Sequence, residues 1–133
     1  MATVSIEEMQ SVYYGCNPRP HSEKAYQRGD PSAPTAAHAT VVGPSGKVIV
    51  LVTTVHNRSP HGRAEFSLVD GAQRELARGS SDELPWFGKI EGLAPGTEVY
   101  IRPRTIGTMA KALSWESFEE FRGGCASWKS RRR

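Results

Sequence analysis

Four histidines (His21, His38, His56, His61), two cysteines (Cys16, Cys125) and the carboxylates Asp70, Glu75, Asp82, Glu83 and Glu91 are the side chains that could do chemistry here. A metal site needs three or four converging ligands. His56 and His61 flank one loop, and His38 or His21 would have to arrive from elsewhere, so the spacing specifies no metal. Cys16 and Cys125 lie near opposite ends and form no Cys-x-x-Cys pair, which argues against a zinc ribbon or a dithiol redox site. Cys16 beside His21 or His38 would make a thiolate pair only if the fold joined them. Two carboxylates across a glycosidic bond would be an enzyme's signature, but these acids spread over loops and strand faces. Gly43-Pro44-Ser45-Gly46-Lys47 echoes a phosphate loop, yet Val41 stands where its first glycine belongs and Val48 where Ser or Thr must bind magnesium. No nucleophile turn is present. The expectation is a non-enzyme with no cofactor and no metal.

Two further triplets carry little. Arg28-Gly29-Asp30 spells an integrin-read tripeptide, and Gly29 also serves as a plain stop signal. Asn57-Arg58-Ser59 is a formal glycosylation triplet followed by Pro60.

The elements that must position these residues change character along the chain. Residues 1–35 read as an N-terminal extension. Ser5 and Glu8 make a capping box for a helix through about Tyr14, with Ile6, Met9, Val12 and Tyr13 on one face. Asn17-Pro18-Arg19-Pro20 stops it, residues 22–28 read as another turn or two of helix, and the proline-rich segment from Asp30 to Thr35 reads as an extended linker or a strand lead-in.

From residue 36 the period becomes two. Ala36–Val42 is a strand, Gly43–Gly46 a turn, and Lys47–His56 the strongest strand, apolar on both faces as a central strand would be. Ala64, Phe66 and Leu68 share a face, Asp70-Gly71 signals a hairpin, and Gln73–Arg78 is its return. Residues 84–91 lead into Leu93-Ala94-Pro95-Gly96-Thr97, a corner that passes the chain from one sheet to the other. Beyond it Val99 and Ile101 point one way, Tyr100 and Arg102 the other. Thr108–Leu113 closes a sandwich domain spanning 36–113. Residues 114–133 form a short amphipathic helix, capped by Ser114 and ended by Gly123-Gly124, and a basic tail.

The proline-bounded segment Pro31-Ser32-Ala33-Pro34-Thr35 and the corner Leu93–Val99 resemble a fibronectin type III module. The resemblance covers about residues 31–113. It implies a mainly β, antiparallel immunoglobulin-like sandwich, non-catalytic and used as a spacer, adhesive unit or decoration. The chain departs from that family at two places: the corner tyrosine falls at Val99, with Tyr100 one position late, and the second-strand tryptophan falls near Thr53.

The functional expectations follow. Trp115, Phe118 and Phe121 recur every three residues, a stripe that either completes a core or, left open, binds a partner. With Trp86 and Tyr100 they are the candidate partner-binding aromatics. Trp86, Phe87 and Tyr100 would alternatively stack on sugars or peptide. Net charge is +3, and its excess lies after residue 105. Lys129, Arg131, Arg132 and Arg133 are candidates for contact with an anionic surface such as nucleic acid, though four charges are few for phosphate binding alone. The first reading is a structural subunit of a larger assembly, with a virus or phage particle named first. Met1-Ala2-Thr3-Val4 lacks the basic and apolar parts of a signal peptide, and no apolar run could span a bilayer, so host cytoplasm or virion is expected. In such a setting two reduced thiols are the expectation for Cys16 and Cys125.

Overall fold

The computed structural model describes residues 4–29, 37–57, 62–105 and 108–130. The chain is mainly β. Eight strands, β1 (Ser22–Gly29), β2 (Ala37–Val41), β3 (Val48–Asn57), β4 (Glu65–Val69), β5 (Glu75–Ser80), β6 (Trp86–Ile90), β7 (Glu98–Pro103) and β8 (Thr108–Trp115), are flanked by α1 (Ile6–Cys16) and α2 (Phe118–Ser130). They pair into two antiparallel sheets, ordered β1-β8-β3-β6 and β2-β7-β4-β5. Among the described strands, only β4 and β5 are consecutive neighbours within one sheet; each other pair of consecutive strands lies in different sheets.

β3 shows why this order is stable. Val48, Val50 and Val52 face the other sheet and join Val42, Phe66, Leu68, Ile90, Val99, Ile101, Ala110 and Ala112 in the inner core. The alternate residues Ile49 and Leu51 face outward, where they pack with Phe87, Trp115, Met9 and Phe121 under the two helices. One strand is thus buried on both faces, which is why its sequence lacks the usual apolar–polar alternation. Among the described residues, the cluster beneath the helices draws only on β3, β6 and β8. Among the described residues, the two helices pack on this sheet and not on the outer face of β2-β7-β4-β5.

The local signals act as expected at several points. Ser5 accepts from the Glu8 amide (3.1 Å) at the start of α1. Asp70 Oδ1 accepts from the amides of Ala72 and Arg74 (2.9 and 3.0 Å) and shapes the β4–β5 hairpin. The Pro95-Gly96 corner carries the chain from β6 in one sheet to β7 in the other, with Gly96 at φ +88° donating to the Val42 carbonyl (2.7 Å).

Four expectations are corrected. Ser22–Gly29 is not helical: it is β1, held along the free edge of β8 from Ser22 opposite Ser114 to Gly29 opposite Thr108. Pairing with a strand some 80 residues away overrides local preference there, and the paired strands run from Ser22 to Trp115, beyond the expected 36–113. Ser114 does not cap α2, because it lies inside β8 and is fully buried; Ser117 does, accepting from the Glu120 amide (3.2 Å). Gly123-Gly124 does not end α2. A Cβ at Gly124 would stand 3.1 Å from the Arg19 carbonyl oxygen, so this glycine lets the helix press against the segment after α1. Finally, Cys16 and Cys125 are joined in a disulfide, with Cα atoms 5.7 Å apart. The helices at the two chain ends lie side by side on one sheet, a meeting that no local pattern announces.

Candidate functional site

Most of the expected partner-binding aromatics serve the protein's own core. Trp115 and Phe121 are fully buried in an edge-to-face pair (centroids 4.7 Å apart), and the Trp115 indole donates to the Arg19 carbonyl. Phe118 is half-buried at the margin of the same cluster. Trp86 packs edge-on against Phe66 (5.2 Å) and is cradled by glycines: a Cβ on Gly79 or Gly88 would come within 2.7 or 2.5 Å of its ring. Phe87 is buried beneath the helices. Tyr100 lies half-buried on the outer face of β7, where its phenol donates to Glu98 and is thereby held protonated above its ordinary range. Lys129 lies in the last turn of α2; Arg131, Arg132 and Arg133 lie outside the described residues.

The titratable residues disperse. His21 faces Glu120 at 3.8 Å on the surface. His38 and His56 sit in strands of different sheets, and His61 is outside the described residues. Among the described residues no group of three His, Cys, Asp or Glu side chains is placed to hold a metal. Asp82 faces Arg63 (3.4 Å), Glu83 accepts from the Ser80 amide (3.1 Å), and Glu91 faces Lys89 (3.5 Å). Gly43–Gly46 is a turn between β2 and β3, not a phosphate loop. Of the tripeptide Arg28-Gly29-Asp30, the first two residues belong to β1 and Asp30 lies outside the described residues, as do Arg58 and Ser59 of the glycosylation triplet.

Two surface features among the described residues gather charged side chains. One is a cleft of about 320 Å³ between the starts of the two helices. Its cations Lys47, Lys89 and Arg122 are matched by Glu8, Glu91 and Glu119, and Lys89 is already committed to the Val4 carbonyl (3.0 Å). The other is the outer face of the β2-β7-β4-β5 sheet. Register places Ser67 of β4 directly between Arg78 of β5 and Arg102 of β7. Ser67 alternates with the inward Phe66 and Leu68, so it faces outward, yet it is fully buried. Its hydroxyl donates to Glu75 Oε1 (2.6 Å) and accepts from Arg104 Nε (2.8 Å). The same carboxylate oxygen accepts from Arg78 Nε (2.9 Å) and lies 3.5 Å from an Arg104 Nη. The Ser67 hydroxyl first, then Arg78, hold the Glu75 carboxyl below its ordinary range. One carboxylate therefore organises two guanidiniums. No loop or motif search over the sequence flags Ser67, Arg78 or Arg104. The signal that could have found Arg104 is its two-residue spacing from Arg102, which carries the outward alternation of β7 one step past the strand's end.

The chain matches no family model, no curated protein and no solved structure.

Proposed function

We propose that this protein is a non-catalytic structural unit that works by packing into a larger assembly, a virus or phage particle being the first kind to consider. The observation that carries the reading is the asymmetry of the sandwich. One sheet is sealed by the protein's own helices, while the other presents a polar outer face that neither helix covers. The finer fold class belongs to the same reading. An immunoglobulin-like sandwich would set the last strand beside β7; here β8 lies between β1 and β3, and the chain alternates between sheets. That order reads as an eight-stranded jelly roll of two Greek keys, an architecture used by viral capsid domains and also by lectins and cupins. The fibronectin-like corner is then a local likeness at one sheet crossing. The sugar-stacking alternative is weakened because Trp86 and Phe87 are occupied in packing.

Light scattering on the purified protein over a wide concentration range tests the reading. The expected mass rises above the 14.6 kDa of one chain as concentration increases. A constant monomer mass up to the solubility limit counts decisively against it.

A further inference from the structure

We propose that the Cys16–Cys125 disulfide is a reducible latch: exchange with a dithiol reductant frees the second half of α2, from Gly123 onward, while α1 and the sandwich stay folded. The proposal stands apart from the assembly reading, since a monomer can open and close.

Three observations carry it. First, α2 is held in two unequal parts. Its start is anchored by Phe121, fully buried against Trp115 and Phe87. Among the described residues past Arg122, its ties to the rest of the molecule are the approach of Gly124 to Arg19 and the bond from Cys125 to Cys16. The junction between the two parts is Gly123-Gly124. Glycine is the weakest helix former after proline, because its backbone loses the most freedom on ordering. Second, the bond lies within reach of a reductant. Cys16 and Cys125 keep 8% and 9% of their surface accessible, where Trp115 and Phe121 keep none. Gly15 and Gly123 beside them are exposed, and a Cβ on either would stand in open space, so an incoming thiolate meets no side chain there. Third, the reduced state is accommodated. Cys16 Sγ lies 3.3 Å from the Val12 carbonyl oxygen, which would accept from a thiol S–H. α1 has anchors of its own: Met9 is buried beneath it, Tyr13 packs edge-on against Phe87 (6.1 Å), and the Asn17 amide closes its end on the Tyr13 carbonyl (2.7 Å).

In the exchange, a thiolate of the reductant attacks one sulfur and the S–S bond breaks, releasing the other sulfur as a thiolate that takes a proton. The reductant's second thiol then attacks the mixed disulfide and frees the remaining cysteine. Two electrons and two protons pass to the protein, and the dithiol leaves as its own disulfide. The freed segment carries Trp128 and Lys129.

The test is backbone amide exchange on isotope-labelled full-length protein, oxidised and then in excess dithiothreitol. Protection of residues 123–130 should fall about tenfold or more on reduction, while that of β3 and of α1 through Tyr13 holds. Transfer into oxidised glutathione should restore it. The double variant Cys16→Ser, Cys125→Ser should behave as the reduced parent. Gly123→Ala strengthens the junction where a Cβ meets open space, and it should keep more protection after reduction than the parent does. Unchanged protection of 123–130 after reduction overturns the latch. Loss spreading through α1 and β3 also overturns it, because the bond would then be a staple of the whole fold. A bond that excess dithiothreitol leaves intact in the folded protein overturns it as well, and equal loss in Gly123→Ala overturns the part given to the glycine pair.

Discussion

Asp70 shows how much one side chain settles. Its carboxylate takes the amides of Ala72 and Arg74 and the Arg74 Nε (3.1 Å), closing the β4–β5 hairpin within one sheet. The Arg74 amide above all, with the Arg74 side chain and the Ala72 amide, holds its carboxyl below the usual carboxylate range. Glu75 is held low in the same way. A carboxyl whose native pKa is depressed stabilises the fold above its unfolded value and loses that stabilisation as pH falls through the native one. Urea midpoints should therefore drop on acidification below about pH 4. Asp70→Asn should be less stable than the parent at pH 7 and should show a shallower acid loss; an unchanged acid slope would refute the assignment. Asp70-Gly71 was legible as a turn because the amides it binds are its near neighbours in the chain. Ser67 was not, because its partners come from β5 and from the segment after β7.

The elements at the two chain ends depend on one another. α1 was readable from its Ser5 cap and the 3–4 spacing of Met9 and Val12, which are local. The continuation of α2 past Gly123-Gly124 was not, because it rests on contact with Arg19 and on the bond from Cys125 to Cys16. That disulfide closes a loop of 109 residues, so its loss should cost about 2–5 kcal/mol of stability. The double variant Cys16→Ser, Cys125→Ser should unfold at lower denaturant, and the parent with dithiothreitol should match it. The β-sheet circular dichroism signal should persist in both, since the inner core contains neither helix. Equal denaturation curves for oxidised and reduced protein would show that the bond does not form. β1 departs from the expected helix because its residues pair along the edge of β8, far away in the chain.

Across the whole molecule, β3 gives most to the two cores, with Val48, Val50 and Val52 in one and Ile49 and Leu51 in the other. Its amides from Val48 to Val52 should exchange with solvent most slowly, outlasting those of the edge strand β5. Exchange of β3 as fast as β5 would mean that the two clusters do not close around it. The antiparallel two-layer character, the β-hairpin at Asp70 and the sheet crossing at Pro95-Gly96 all followed from periodicity and turn chemistry, which act over a few residues. The aromatic stripe Trp115, Phe118 and Phe121 was visible too, but not whether it faces a partner or the chain itself. Strand order, the sealing of one sheet by α1 and α2, the Cys16–Cys125 bond and the gathering of Arg78, Arg102 and Arg104 around Ser67 were decided only in three dimensions. Each joins residues tens of positions apart, and the free energy that selects them comes from burying shared surface, a quantity that no short window of sequence contains.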